Sequence, residues 1–156
     1  MPHRRPVTVN SGRNPFEVGM LLASVGVGSV LAVTGHLPRS AGEVMPIPVQ
    51  TVWLTLLICG GAIALAGIWW PGRLETGLRV EQAGVAMLGG GSGMYAVALI
   101  AVAGAQGIAA AGFVGAVALA GCWRALQILL DLRRVARARE VAPVPVLVEE
   151  DAGGRS

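Results

Sequence analysis

Few side chains in this sequence could do chemistry, and their spacing limits what that chemistry would be. The thiols are Cys59 and Cys122 and the imidazoles His3 and His36. The two histidines stand at opposite ends of the first apolar run, so closely spaced zinc ligands are missing. Cys59 falls in the middle of one apolar run and Cys122 near the end of another. At ~1.5 Å rise per helical residue their depths would differ by roughly 10 to 15 Å, too far for a disulfide. Both read as small packing residues. Gly91-x-Gly93-x-x-Ala96 matches part of a dinucleotide fingerprint, but that motif needs a preceding strand and a loop in water. Here it lies inside an apolar run and is rejected. Glu17 and Glu81 stand where helices are expected to start, and a carboxylate is favoured there by the helix dipole. Arg124 and Gln127 are the polar pair of the last apolar run, with Arg124 close enough to its end to snorkel to lipid headgroups. No nucleophile has a base, no acid pair forms and no metal or cofactor set can be assembled. The expectation is a protein that is not an enzyme.

The elements that carry these residues are long and apolar. The mean hydropathy is +0.65, 54% of residues are hydrophobic and 13% charged. Runs of about 20 apolar residues mark helices that cross a bilayer. Aromatics are only 4%, and small residues dominate, as in closely packed membrane helices. All 12 basic residues are arginine, with no lysine, which reads as a high-GC codon bias. The sequence pI near 9.7 could point to nucleic acid. However, the arginines flank apolar runs, and no stacking aromatics are interleaved with them, so nucleic-acid binding is disfavoured.

Four helices are expected, at about 16–35, 50–70, 83–104 and 106–130, between a flexible tail at 1–13 and a basic, then disordered, tail at 131–156. Asn14-Pro15-Phe16-Glu17 has the order of a cap, a first-turn proline and a capping-box acid. Pro38, Pro46 and Pro48 break the chain between the first two helices, and Pro71-Gly72 ends the second. Glu75 and Arg79 in the middle connector have i,i+4 spacing, as in a short surface turn of helix. The first apolar run is too long for a signal-peptide core, and no small-residue cleavage pattern closes it.

Arginine placement orients the molecule. Arg4, Arg5 and Arg13 precede the first helix, Arg73 and Arg79 lie in the middle connector, and Arg133, Arg134, Arg137 and Arg139 follow the last. The other side has only Arg39. Under the positive-inside rule both termini and the middle connector are cytoplasmic, and four spans alone put every basic segment on one side. Trp53, Trp69, Trp70 and Trp123 with Arg124 are the expected membrane-interface residues. The arginines at 73, 79, 133, 134, 137 and 139 are the expected topology and lipid-headgroup set, and a basic exit of this kind binds anionic lipid or a negatively charged partner.

The segment 61–70 (GAIALAGIWW) is nearly repeated at 115–124 (GAVALAGCWR). Both segments end an apolar run, as one hairpin written twice in parallel orientation would. The fold class expected is therefore all-α: an integral membrane four-helix bundle of two parallel-repeat helical hairpins, with both ends inside. Gly89 and Gly93 on the third helix, and Gly112, Ala116 and Ala120 on the fourth, form the expected helix-packing faces.

The NPFEVG start of the first helix, the Glu81 to Gly84 start of the third and the WRALQILLDLRR exit at 123–134 carry a resemblance. The chain resembles small multi-span membrane proteins of actinobacterial phages, some of which are holins. That resemblance implies a protein that accumulates in the inner membrane, assembles through helix faces and opens lesions for a cell-wall hydrolase. It implies no catalytic residue. The partners expected are the lipid bilayer and further copies of the chain, with another membrane protein as a further candidate. The alternatives are an accessory subunit of a secretion, conjugation or exclusion complex, and a small channel or transporter.

Overall fold

A computed structural model describes residues 15–141, with side chains as far as Arg137. Among these residues the chain is all helical, without a strand. The helices are α1 (Pro15–Thr34), α2 (Arg39–Val44), α3 (Ile47–Ile68), α4 (Leu74–Ala103) and α5 (Ile108–Val141), with a 3-10 turn at Gly104–Gly107. Three stretches are long and apolar enough to cross a membrane: Pro15–Thr34, Ile47–Ile68 and Leu74–Arg137, the last containing both α4 and α5. The expected terminal tails, and the cap at Asn14, fall largely outside the described residues.

Turn chemistry ends the helices where the prolines and glycines stand. Gly35, at φ +65°, closes α1 with its N–H donating to Leu31 O at 3.0 Å. Pro38 and Pro46 are the residues before α2 and α3. Gly104, at φ +50°, reverses the chain between α4 and α5.

Two helices outlast their apolar runs. α4 begins at Leu74, nine residues before the expected start at Ala83. The connector is helical because it is rich in good helix formers and pairs Arg79 with Glu75 at 2.8 Å. Its Gly77 also packs on α3: an added Cβ would lie 3.0 Å from Gly67 O and from Trp70 Cβ. Likewise α5 continues through the arginine cluster to Val141, where a basic tail was expected from Asp131. Polarity marks where an apolar surface stops, not where hydrogen bonding stops.

α4 is the central helix: α3 and α5 pack most extensively on it, α2 leans on its far end, and α1 packs on α3. The α3–α4 contact is nearly backbone to backbone. A Cβ at Gly60 would lie 2.8 Å from Leu88 N, and Cβ atoms at Gly67 and Gly84 would run into the backbone of Glu81 and Ala64. Close approach of this kind is how helices associate where both neighbours and solvent are apolar. The near-repeat does the same work twice. Ala64 and Ala118, matched in the two copies, are both buried. Their matched glycines, Gly67 and Gly121, press on α4 from its two sides, against Glu81 and against Val85 and Gly89.

The glycine run of α4 stays helical throughout. Gly89 faces α5, where a Cβ would meet Ala118 O at 3.2 Å, while Gly91 faces Leu56 of α3 at 3.1 Å and Gly90 is open. Three consecutive glycines flatten two faces of one helix.

Candidate functional site

Glu17, Glu81 and Arg124 come from three helices and meet at one end of the bundle. Arg124 donates from Nη2 (2.7 Å) and Nε (3.0 Å) to Glu81 Oε1. The same Nε lies 3.3 Å from Glu17 Oε1, close enough for an ion pair but not aligned as a hydrogen bond. Glu81 is 4% exposed, and the Arg124 and Glu17 side chains are mostly covered. Beside them Gln82 Nε2 donates to Ala125 O at 3.3 Å, a second polar tie between α4 and α5. Two carboxylates thus share one guanidinium in a largely water-excluded layer, where breaking one contact leaves a buried charge unpaired.

This arrangement corrects the reading of Arg124 and Glu81, and gives Glu17, which does stand in the first turn of α1, a partner on another helix. Arg124 turns inward to carboxylates instead of snorkelling outward to headgroups. Glu81 is not at a helix start, since α4 begins at Leu74. Its carboxylate serves another helix, and Glu17 turns Oε1 the same way. The sequence carried one usable signal: Glu17 and Glu81 each precede an apolar run that α3 or α5 answers with its end, so antiparallel packing brings them to one depth. Which way the side chains point was not encoded locally.

A second polar layer lies at the other end. Trp53 and Tyr95 stack with centroids 5.0 Å apart, and Ser40 Oγ donates to Tyr95 Oη at 3.2 Å. Ala41 and Met45 close over them as buried neighbours of Trp53 and Ala98. Tyr95 therefore makes the inter-segment hydrogen bond its sequence position allowed, with α2 as the partner. Trp53 is 3% exposed, so it is a packed core residue rather than a ring facing lipid, and its buried Nε1 has no hydrogen-bond partner among the described residues. From Glu81 to Tyr95 the two layers are about 21 Å apart along α4.

Trp69, Trp70 and Trp123 are exposed. Gly93 is half-buried, and a Cβ added there would meet Ala118 Cβ in ordinary contact at 3.9 Å. Gly112, Ala116 and Ala120 are exposed, so the small-residue face expected to pack does not pack within the chain. α5 buries Ala111, Ala118 and Ile128 on its other side, because there Gly121 lets Val85 O and Gly89 approach. Arg73, Arg79, Arg133, Arg134 and Arg137 are exposed, and Arg139 lies in α5 beyond the described side chains. Both cysteines are free and exposed. Among the described residues, no three His, Cys, Asp or Glu side chains gather as metal ligands. Comparison with protein families, curated proteins and solved structures gives no match.

Proposed function

We propose that this chain is a non-enzymatic integral membrane protein that self-associates in the inner membrane and, as holins do, forms a pore or lesion there. In this reading it crosses the bilayer four times. α1, α3, α4 and α5 each have at least 20 residues, enough for ~30 Å of hydrocarbon. Arginine placement supports cytoplasmic termini and a cytoplasmic middle connector. The observation that carries self-association is the open face of α5. Gly112, Ala116 and Ala120 recur there every four residues and are all exposed among the described residues, beside exposed Phe113, Leu119 and Trp123.

The test is induced expression with a membrane-potential dye, together with cross-linking through a cysteine at Gly112 in a chain lacking Cys59 and Cys122. A cross-linked homodimer with collapse of potential supports the reading. A monomer that leaves the potential intact defeats it, and co-purification of another membrane protein would then favour an accessory subunit. The Glu17–Arg124–Glu81 cluster favours a second reading, a small channel or transporter, because ionisable groups within membrane helices commonly mark ion paths. Selective solute flux in proteoliposomes, without general leakage, would favour it over lesion formation.

A further inference from the structure

The antiparallel register of α4 and α5 brings separate arginines to one height. Arg124 pairs with Glu81 and Gln82 with Ala125 O, which fixes the levels of the two helices. Arg73, the residue before α4, is eight positions outward from Glu81, and Arg133 is nine outward from Arg124. Each therefore stands about 12 to 14 Å beyond the cluster. If the two polar layers are centred in ~30 Å of hydrocarbon, Arg73 and Arg133 stand at headgroup depth. Arg137 follows one turn further along α5.

Not all arginines at this end are equivalent. Arg79 is held by Glu75 and Arg134 by Asp131. Arg73, Arg133 and Arg137 have no carboxylate partner among the described residues, and all three are exposed. Arg133 and Arg137 are also a like-charge pair at i,i+4, which weakens a helix unless an anion lies between them. A guanidinium presents parallel N–H donors that match phosphate oxygens. At headgroup depth, phosphodiesters are the anions already present at high local concentration.

We propose that Arg73, Arg133 and Arg137 bind the headgroup of an anionic phospholipid of the phosphatidylglycerol class at the open end of the α4–α5 hairpin. This rests on the membrane reading above but not on self-association. The full chain and its R73Q/R133Q/R137Q variant are reconstituted in phosphatidylcholine vesicles, with or without an equal share of phosphatidylglycerol. Flotation, thermal midpoint and lipid retained in native mass spectrometry are measured. The wild-type chain should be stabilised by phosphatidylglycerol and retain it, less so at high salt. The variant should match wild type in phosphatidylcholine but bind phosphatidylglycerol on the order of a hundredfold more weakly, at roughly fivefold per arginine. A variant that keeps the full response, or a wild type with none, overturns the lipid site and leaves the membrane reading standing. A chain that floats with neither vesicle overturns both.

Discussion

Arg124 on α5 and Glu81 on α4 stand 43 positions apart in the chain and 2.7 Å apart in space. Glu17 of α1 joins the same guanidinium. α1 otherwise packs mainly on α3, and this cluster ties it by charge to α4 and α5, beside the apolar core that Leu21 shares with Val85 and Leu88.

Removing the guanidinium should therefore cost more than removing the whole pair. Arg124→Gln leaves Glu81 buried and unpaired, and should lower stability by about 3–5 kcal/mol in detergent micelles. The double variant Arg124→Gln with Glu81→Gln should recover a large part of that loss. Thermal unfolding of both, beside Glu81→Gln alone, completes a double-mutant cycle; single losses that simply add in the double variant would mean the pair is not coupled.

Glycines on the packed and open faces of α4 should respond oppositely. A Cβ at Gly84 would overlap the backbone of Ala64, whereas one at Gly90 meets nothing. Gly84→Leu should cost about 1–3 kcal/mol or more by forcing α3 from α4. Gly90→Ala should be neutral or stabilising by up to ~1 kcal/mol, from helix propensity alone. Unfolding midpoints of the two variants decide the matter.

At the other end, Trp53→Ala should lose about 3–5 kcal/mol, as for a large aromatic removed from a packed core. Tyr95→Phe keeps the stacked ring and removes only the hydroxyl that accepts from Ser40. It should cost about 0.5–1.5 kcal/mol. If Tyr95→Phe were as damaging as Trp53→Ala, the hydroxyl would have a role beyond that bond.

Topology can be read with reporters fused at either terminus and inserted in the α2 segment. Both terminal fusions should report cytoplasm, and an insertion near Gly42, which is exposed and where an added Cβ would meet nothing, should report the opposite side. A terminus found outside the cytoplasm would refute the four-crossing arrangement.

How much of this was legible beforehand follows from the range over which each property acts. The start of α1 and the end of α3 came out within about two residues, because Pro15, Gly35 and Pro71-Gly72 act on the backbone locally. The start of α4 did not. The polar stretch Arg73 to Gln82 reads as a connector with a short surface turn of helix leading straight into the next span; in the fold that turn and the apolar run are one unbroken helix from Leu74. Gly112, Ala116 and Ala120 show the harder case. α5 carries small residues on more than one side, and spacing alone does not say which side meets α4.

The amino-acid order by itself determined that the chain is helical, that its helices are long and apolar enough to cross a membrane, and where the arginines gather. These follow from hydropathy, backbone propensity and charge, each a property of a residue and its near neighbours. Only the tertiary structure decided that Arg124 turns inward, that Glu17 and Glu81 converge on it, and that Trp53 is buried against Tyr95. Those outcomes depend on how far each helix is rotated and slid against the next. That is set where Gly60, Gly67, Gly84 and Gly121 let backbones touch, and long-range contacts of this kind are written in no single segment.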